Sequence, residues 1–133
     1  TLGQALLTPT RIYVKNLLTA PSKHAIHALA HITGGGLSEN LPRVLPSGLG
    51  AEIDLGSWRL PRLFSWLRDA GEVADAEMLR TFNCGIGMVV IAACDDAVLI
   101  ADELRGAGEI VHQIGSVRAA TRGVSYRGEW RTD

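Results

Sequence analysis

The chain has little of what usually narrows a function. Of its 133 residues only two are cysteine, two phenylalanine and two tyrosine, with three tryptophans. Cys84 and Cys94 are too few for a disulfide framework and stand in no metal-ligand spacing with a histidine. No metal site is therefore read, and a reducing, cytoplasmic setting is expected. Neither sign of charge dominates, with 13 Lys+Arg against 14 Asp+Glu and a net charge of −1. The arginines are scattered rather than gathered in a basic stripe, which argues against a nucleic-acid polymer as partner. No apolar run approaches the roughly 18 residues of a membrane span, and no basic start precedes an apolar stretch as in a secretory signal. Repeats and low-complexity tracts are missing too.

An apolar share of 47% and a charged share of 20% suit one globular domain, long enough to bury a core without staples. The chain opens on Thr1-Leu2-Gly3-Gln4 rather than on Met, which reads as the interior of something longer. An excised single domain over residues 1–133 is expected, with residues 119–133 as its tail.

Residues 1–9 read as a lead-in bounded by Pro9, and residues 11–19 as a helix closed by Pro21. A short apolar strand is expected over 25–32, then a helix over 38–45 with Ser38 as N-cap and Pro42 inside its first turns. Residues 50–55 alternate as a strand. Pro61 opens a helix that Gly71 ends, with Leu63, Phe64 and Leu67 on its apolar face, and 75–80 add a helical turn or two. The unbroken apolar run 87–93 predicts a buried strand. Asp95 or Asp96 caps an amphipathic helix running to Arg105 that carries Val98, Leu99, Ile100 and Leu104. Residues 109–117 read as a strand with Gly115 as a bulge, and 124–127 as a last edge strand. Strands and helices mix without a strict alternation, so the expected class is α+β, a mixed sheet with helices packed mainly on one face.

The richest stretch is His31-Ile32-Thr33-Gly34-Gly35-Gly36, where an apolar strand breaks into three glycines before a helix. Successive glycine N–H groups can turn into a concave, partly positive nest, and a helix start adds free donors. It is neither a Walker A loop nor a dinucleotide fingerprint, because the lysine and the glycine spacing are lacking. Two readings stand: a tight turn without ligand, or an anion site. Three adjacent glycines cost folding entropy and a turn rarely needs more than one, which favours the anion.

His27 and His31 fall on one strand face about 13 Å apart, too far for joint metal ligation. His31 is a candidate acid, base or donor beside the glycines, and equally a half-buried structural histidine. His24 and His112 read as surface residues. Residues 80–88, around Asn83-Cys84-Gly85-Ile86-Gly87, read either as a bulged loop or as a backbone that approaches a ligand. Cys84 has no charged partner to make it a nucleophile, and Trp58 and Trp66 read as core.

Four segments occur in order: Pro9-Thr10-Arg11-Ile12-Tyr13-Val14-Lys15, then His27 through Gly36, Glu39-Asn40-Leu41-Pro42-Arg43, and Thr81-Phe82-Asn83-Cys84-Gly85-Ile86-Gly87-Met88. In this combination the chain closely resembles the C-terminal domain of the aminoimidazole ribonucleotide synthetase family, the phosphoribosylformylglycinamidine cyclo-ligases, over about residues 2–117. The resemblance implies a synthetase C-terminal-domain-like sandwich and half of a two-domain enzyme whose N-terminal ATP-binding domain lies elsewhere. It implies ATP- and Mg2+-dependent closure of the imidazole ring of formylglycinamidine ribonucleotide, with ATP activating the formamide oxygen, in a full enzyme that is a homodimer. Thr33, Gly34, Gly35 and Gly36 with Asn40 are then expected at phosphate oxygens, and His31 at the attacking amidine. Arg43 would balance phosphate charge, while Asn83, Gly85 and Gly87 would line the same cleft. Ile12, Tyr13, Leu37 and Met88 are expected on an interdomain face.

Two other classes remain open at this stage. One is a stand-alone module that binds a phosphorylated metabolite, and the other a purely structural domain. Within the same superfamily, formylglycinamidine ribonucleotide synthetase, selenophosphate synthetase, thiamine-phosphate kinase and the hydrogenase maturation protein share the fold, without this pair of motifs being expected in them.

Overall fold

The computed structural model describes residues 1–19, 26–119 and 122–131. Pro21, His24 and Ala25 lie outside them. Among the described residues five strands, six α-helices and one short 3-10 helix alternate irregularly, and the strands divide over two sheets. Strand β1 (Ile26–His31) pairs antiparallel with β3 (Met88–Ala92), in a register that sets His31 opposite Met88. Strand β2 (Leu49–Asp54) is central in the second sheet, antiparallel to β4 (Gly115–Ala119) and parallel to β5 (Gly123–Arg127). The expected class, α+β with a mixed sheet, is the one observed.

Alternation explains β2. Ala51 and Ile53 point into the core, while Glu52 and Asp54 face the other way. There Glu52 lies 3.4 Å from Arg118, and Asp54 sits 2.8 Å from Arg127, its cross-strand partner. Helix α4 (Arg62–Ala70) starts after Pro61 and ends at Gly71, as the sequence predicts, and α5 (Asp75–Thr81) buries Met78 and Leu79.

Several expectations need correction. The lead-in is helical: α1 (Leu2–Leu6) is opened by a reciprocal Thr1–Gln4 capping box, a signal legible in Thr1-Leu2-Gly3-Gln4. Helix α2 (Val14–Thr19) starts later than Arg11. Helix α3 (Gly36–Asn40) begins at the glycines, with Gly35 as N-cap; Ser38 lies inside it and stops being a cap. Strand β3 is half-buried along its length, where a buried strand is expected. In α6 (Cys94–Gly106) the N-cap is Ala93, Asp95 and Asp96 fill the first turn, and only Ile100 and Leu104 are buried. Residues 109–114 are not strand, and Gly115 opens β4 in regular register with Ile53 instead of forming a bulge. The edge strand expected over 124–127 is β5, at the edge of its sheet, whereas Trp130, in the stretch expected as a tail, is buried. Trp66 is 46% exposed rather than core.

The core gathers Ile32, Leu37, Leu41, Met78, Cys84 and Trp58 beneath the start of α3. Trp58 does pack there, its indole Nε1–H donating to the Cys84 carbonyl at 2.9 Å. The Cys84 thiol donates to the Met78 carbonyl. Burial, reinforced by the negative charge of Asp75, pushes this thiol up to about 12 from an ordinary 9.0. The folded chain thus keeps a proton that the unfolded chain releases near 9.0, so this contribution to stability is complete below that pH and is lost as pH rises toward about 12. Iodoacetamide at about pH 8 should label exposed Cys94 and spare Cys84 until urea unfolds the chain. Peptide mass spectrometry checks this; equal labelling of both thiols in native buffer would contradict it.

Candidate functional site

The two stretches that carry the sequence argument, residues 31–36 and 83–88, fold against each other. The Ile32 N–H donates to the Gly87 carbonyl at 2.9 Å, extending the pairing of β1 with β3 past His31. Gly36 lies so close to the end of α5 that a Cβ there would collide with the Leu79 carbonyl oxygen and stand 2.7 Å from that of Phe82. The glycine loop therefore rests on the segment that leads into Asn83.

The loop turns on a bond from the Gly36 N–H to the Thr33 carbonyl, 3.0 Å. Gly35 has φ +93° and Gly36 φ +54°, both left-handed, and the Glu39 side chain folds back over Gly35. Gly34 alone has open space around it and no positive φ. Two of the three glycines are thus required by the turn and its packing, so the triplet on its own says less about an anion than its sequence does. Among the described residues the N–H groups of Gly34 and Gly35 donate to no backbone carbonyl. Thr33 and Gly34 are exposed.

Asn40 is buried, and its amide donates to the carbonyls of Gly34 at 3.2 Å and Gly36 at 2.8 Å. Its own oxygen accepts from Arg43 Nη1 at 3.2 Å. Both amide hydrogens are spent inside the chain, so Asn40 shapes the loop instead of reaching a ligand. Arg43 also lies 3.5 Å from Glu39 Oε2, and Arg80 approaches Glu39 Oε1 at 3.8 Å. Glu39 and Arg80 are the charged groups that reading the motifs missed. Nothing in the spacing of Arg80 places it here; the packing of α3 on α5 does. Ser38, facing the other way, bonds Tyr126 Oη at 2.8 Å and ties β5 to α3.

In the second stretch Cys84 (φ +50°) and Gly85 (φ +95°) form the centre of a tight turn closed by Ile86 N–H to Asn83 O, 3.0 Å. The Asn83 side-chain oxygen accepts from the Gly85 N–H at 3.0 Å. A Cβ on Gly85 would lie 2.6 Å from Pro61 Cγ, so that glycine packs on one side against the start of α4 while it remains exposed on the other. Gly87 packs against the Tyr13 hydroxyl, where a Cβ would collide. His31 is exposed, and the Tyr13 ring stands edge-on to it at 6.2 Å between centroids. Tyr13 and Met88 are half-buried and Ile12 is exposed, whereas Leu37, expected on an interdomain face, is fully buried.

His27 is exposed on the same strand, and His112 is exposed beside Trp58 and Arg131. No three His, Cys, Asp or Glu side chains gather as a metal-binding group among the described residues. Two shallow depressions lie away from the loop. One of about 220 Å³ is lined by the ion-paired Glu52, Asp54, Arg118 and Arg127, and one of about 410 Å³ by Ser57, Trp58, Arg59, His112 and Arg131.

Gly36→Ala should destabilise the chain by about 2–4 kcal/mol, since the new methyl meets backbone carbonyls at a left-handed φ. Gly34→Ala should stay within roughly 0.5 kcal/mol of the parent. Urea unfolding checks both, and equal midpoints would refute the packing account.

The family model described as AIR synthase related protein, C-terminal domain, matches residues 1–127. A phosphoribosylformylglycinamidine cyclo-ligase of Burkholderia multivorans is 57% identical over 122 residues, 92% of this chain and 35% of that protein. The protein of the same name from Neisseria gonorrhoeae is 55% identical over 118 residues, 89% of this chain and 34% of its own length. The chain spans about a third of the length of these curated relatives. Among solved structures, a thiamine-monophosphate kinase from Stenotrophomonas maltophilia superposes with a TM-score of 0.56 at 22% identity, over 80% of this chain and 33% of that one, which shows a shared fold. With its two motifs packed together and its sequence matched over residues 1–127, the chain belongs to the family of AIR synthase related C-terminal domains.

Proposed function

We propose that residues 1–133 serve as the C-terminal domain of an ATP-dependent cyclo-ligase that closes the imidazole ring of formylglycinamidine ribonucleotide, giving aminoimidazole ribonucleotide in purine biosynthesis. The observation that carries this reading is the 55–57% identity to proteins named phosphoribosylformylglycinamidine cyclo-ligase, across both motifs that meet at the loop. The full-length protein is read as a cytoplasmic homodimer, and no helix here is long and apolar enough to cross a membrane among the described residues.

In this reading the ribonucleotide phosphate lies at residues 33–36, met by the N–H groups of Gly34 and Gly35. Arg43 and Arg80, now shared with Glu39, turn to the phosphate, which carries more charge than one carboxylate. Asn40 holds the loop carbonyls in place while this happens. His31, exposed beside the loop, takes or holds a proton at the attacking amidine nitrogen. Asn83 acts through its turn, fixing the backbone at Gly85. When bound, ATP with Mg2+ supplies the phosphoryl group that makes the formamide oxygen a leaving group. Among the described residues no three His, Cys, Asp or Glu side chains gather as ligands for that metal, and this reading assigns its site to the N-terminal domain that the resemblance implies.

Calorimetric titration of this chain with formylglycinamidine ribonucleotide, and separately with Mg-ATP, tests the reading. Substrate heat should be present in the parent chain, lost in Gly35→Val and weakened about tenfold in Arg43→Gln, which leaves the backbone untouched. Thermal melts establish that each variant is folded. Heat from Mg-ATP but not from the ribonucleotide would move the loop to the nucleotide, and silence from both would overturn a substrate site on this chain.

A further inference from the structure

The segment before α2 is fastened to the far end of α6. Arg11 Nε lies 2.8 Å from Glu109 Oε2, and Asn16 Nδ2 donates to Glu109 Oε1 at 2.6 Å. The same two side chains also donate to the carbonyls of Gly108 and Ala107, at 3.1 and 3.3 Å. Glu109 is largely buried, with its side chain 11% exposed, so this latch is better shielded from solvent than an open surface pair. What the latch delivers is Tyr13. Its ring stands edge-on to His31, and its hydroxyl fills the space that any side chain at position 87 would take.

That hydroxyl donates no hydrogen bond among the described residues, although a half-buried phenol ordinarily finds an acceptor. Burial first, and then the negative charge of Glu109, push its pKa up, so the proton is in place at neutral pH. Set between His31 and Gly87, with no acceptor among the described residues, this hydroxyl is placed to donate to something that arrives from outside. We infer that Tyr13 is a ligand-contacting residue of the candidate site, its hydroxyl donating to an acceptor oxygen of the bound ribosyl phosphate. This rests on the substrate site proposed above. It also gives Gly87 a reason: the residue is small so that Tyr13 can sit there.

Tyr13→Phe removes the donor and keeps the ring on His31, so it isolates the hydroxyl. Titration of the 133-residue chain with formylglycinamidine ribonucleotide should show about tenfold weaker binding in this variant, the worth of one hydrogen bond to a charged or strongly polar oxygen. The melting temperature and the His31 ring resonances in NMR should stay where they are in the parent. Equal affinity in parent and Tyr13→Phe, with binding still lost in Gly35→Val, would overturn the role of Tyr13 and leave the site standing. A parent chain that binds no ribonucleotide would overturn both.

Discussion

The bare backbone of Gly36, laid against the carbonyls of Leu79 and Phe82, is the contact on which the rest of this structure depends. Because no side chain intervenes, α3 sits directly on the end of α5. Leu37, Leu41 and Met78 then close the space beneath, each fully buried and each contributing about 1.5–3 kcal/mol by leaving water. The same approach sets the glycine loop beside the turn at Cys84, which Trp58 holds from below through its indole N–H. Widening this contact by one methyl would separate the two stretches that together make the candidate site.

Charge at the loop is organised around a carboxylate. Glu39 folds over Gly35 and is faced by Arg43 and Arg80, all three well exposed, so their mutual attraction is small and screened. Such a weak arrangement is easily exchanged for a stronger anion. Asn40 differs in kind: buried, with both amide hydrogens committed to loop carbonyls, it holds the loop from within while its oxygen accepts from Arg43. The division of labour runs between a rigid interior and a replaceable surface.

Much of this was legible in the residues. Pro61 and Gly71 bracket α4, alternation marks β2, and the apolar run before the triple glycine is β1. The capping box at Thr1 and Gln4 is equally visible in residue order, within the stretch read as a lead-in. Other features had no local signal. Ser38 looks like an N-cap, but the left-handed glycines before it start the helix sooner. Trp66 and Val98 look like core by composition, yet the sides of α4 and α6 that carry them face outward, at 46% and 62% exposure. Arg80 stands far from Glu39 along the chain, and only the seating of α3 on α5 joins them.

By itself the sequence determined elements such as α4, β1 and β2, the family and the two motifs, because capping, periodicity and turn chemistry act over a few residues and leave their mark in residue order. Only the tertiary structure decided what the glycines are for. It assigned Gly35 to a left-handed turn, Gly36 to a backbone contact and Gly87 to the space beneath Tyr13, and it left Gly34 unconstrained. A glycine carries no side chain to state its purpose; what excludes a Cβ is a neighbour brought from elsewhere in the chain, and long-range packing alone supplies that neighbour.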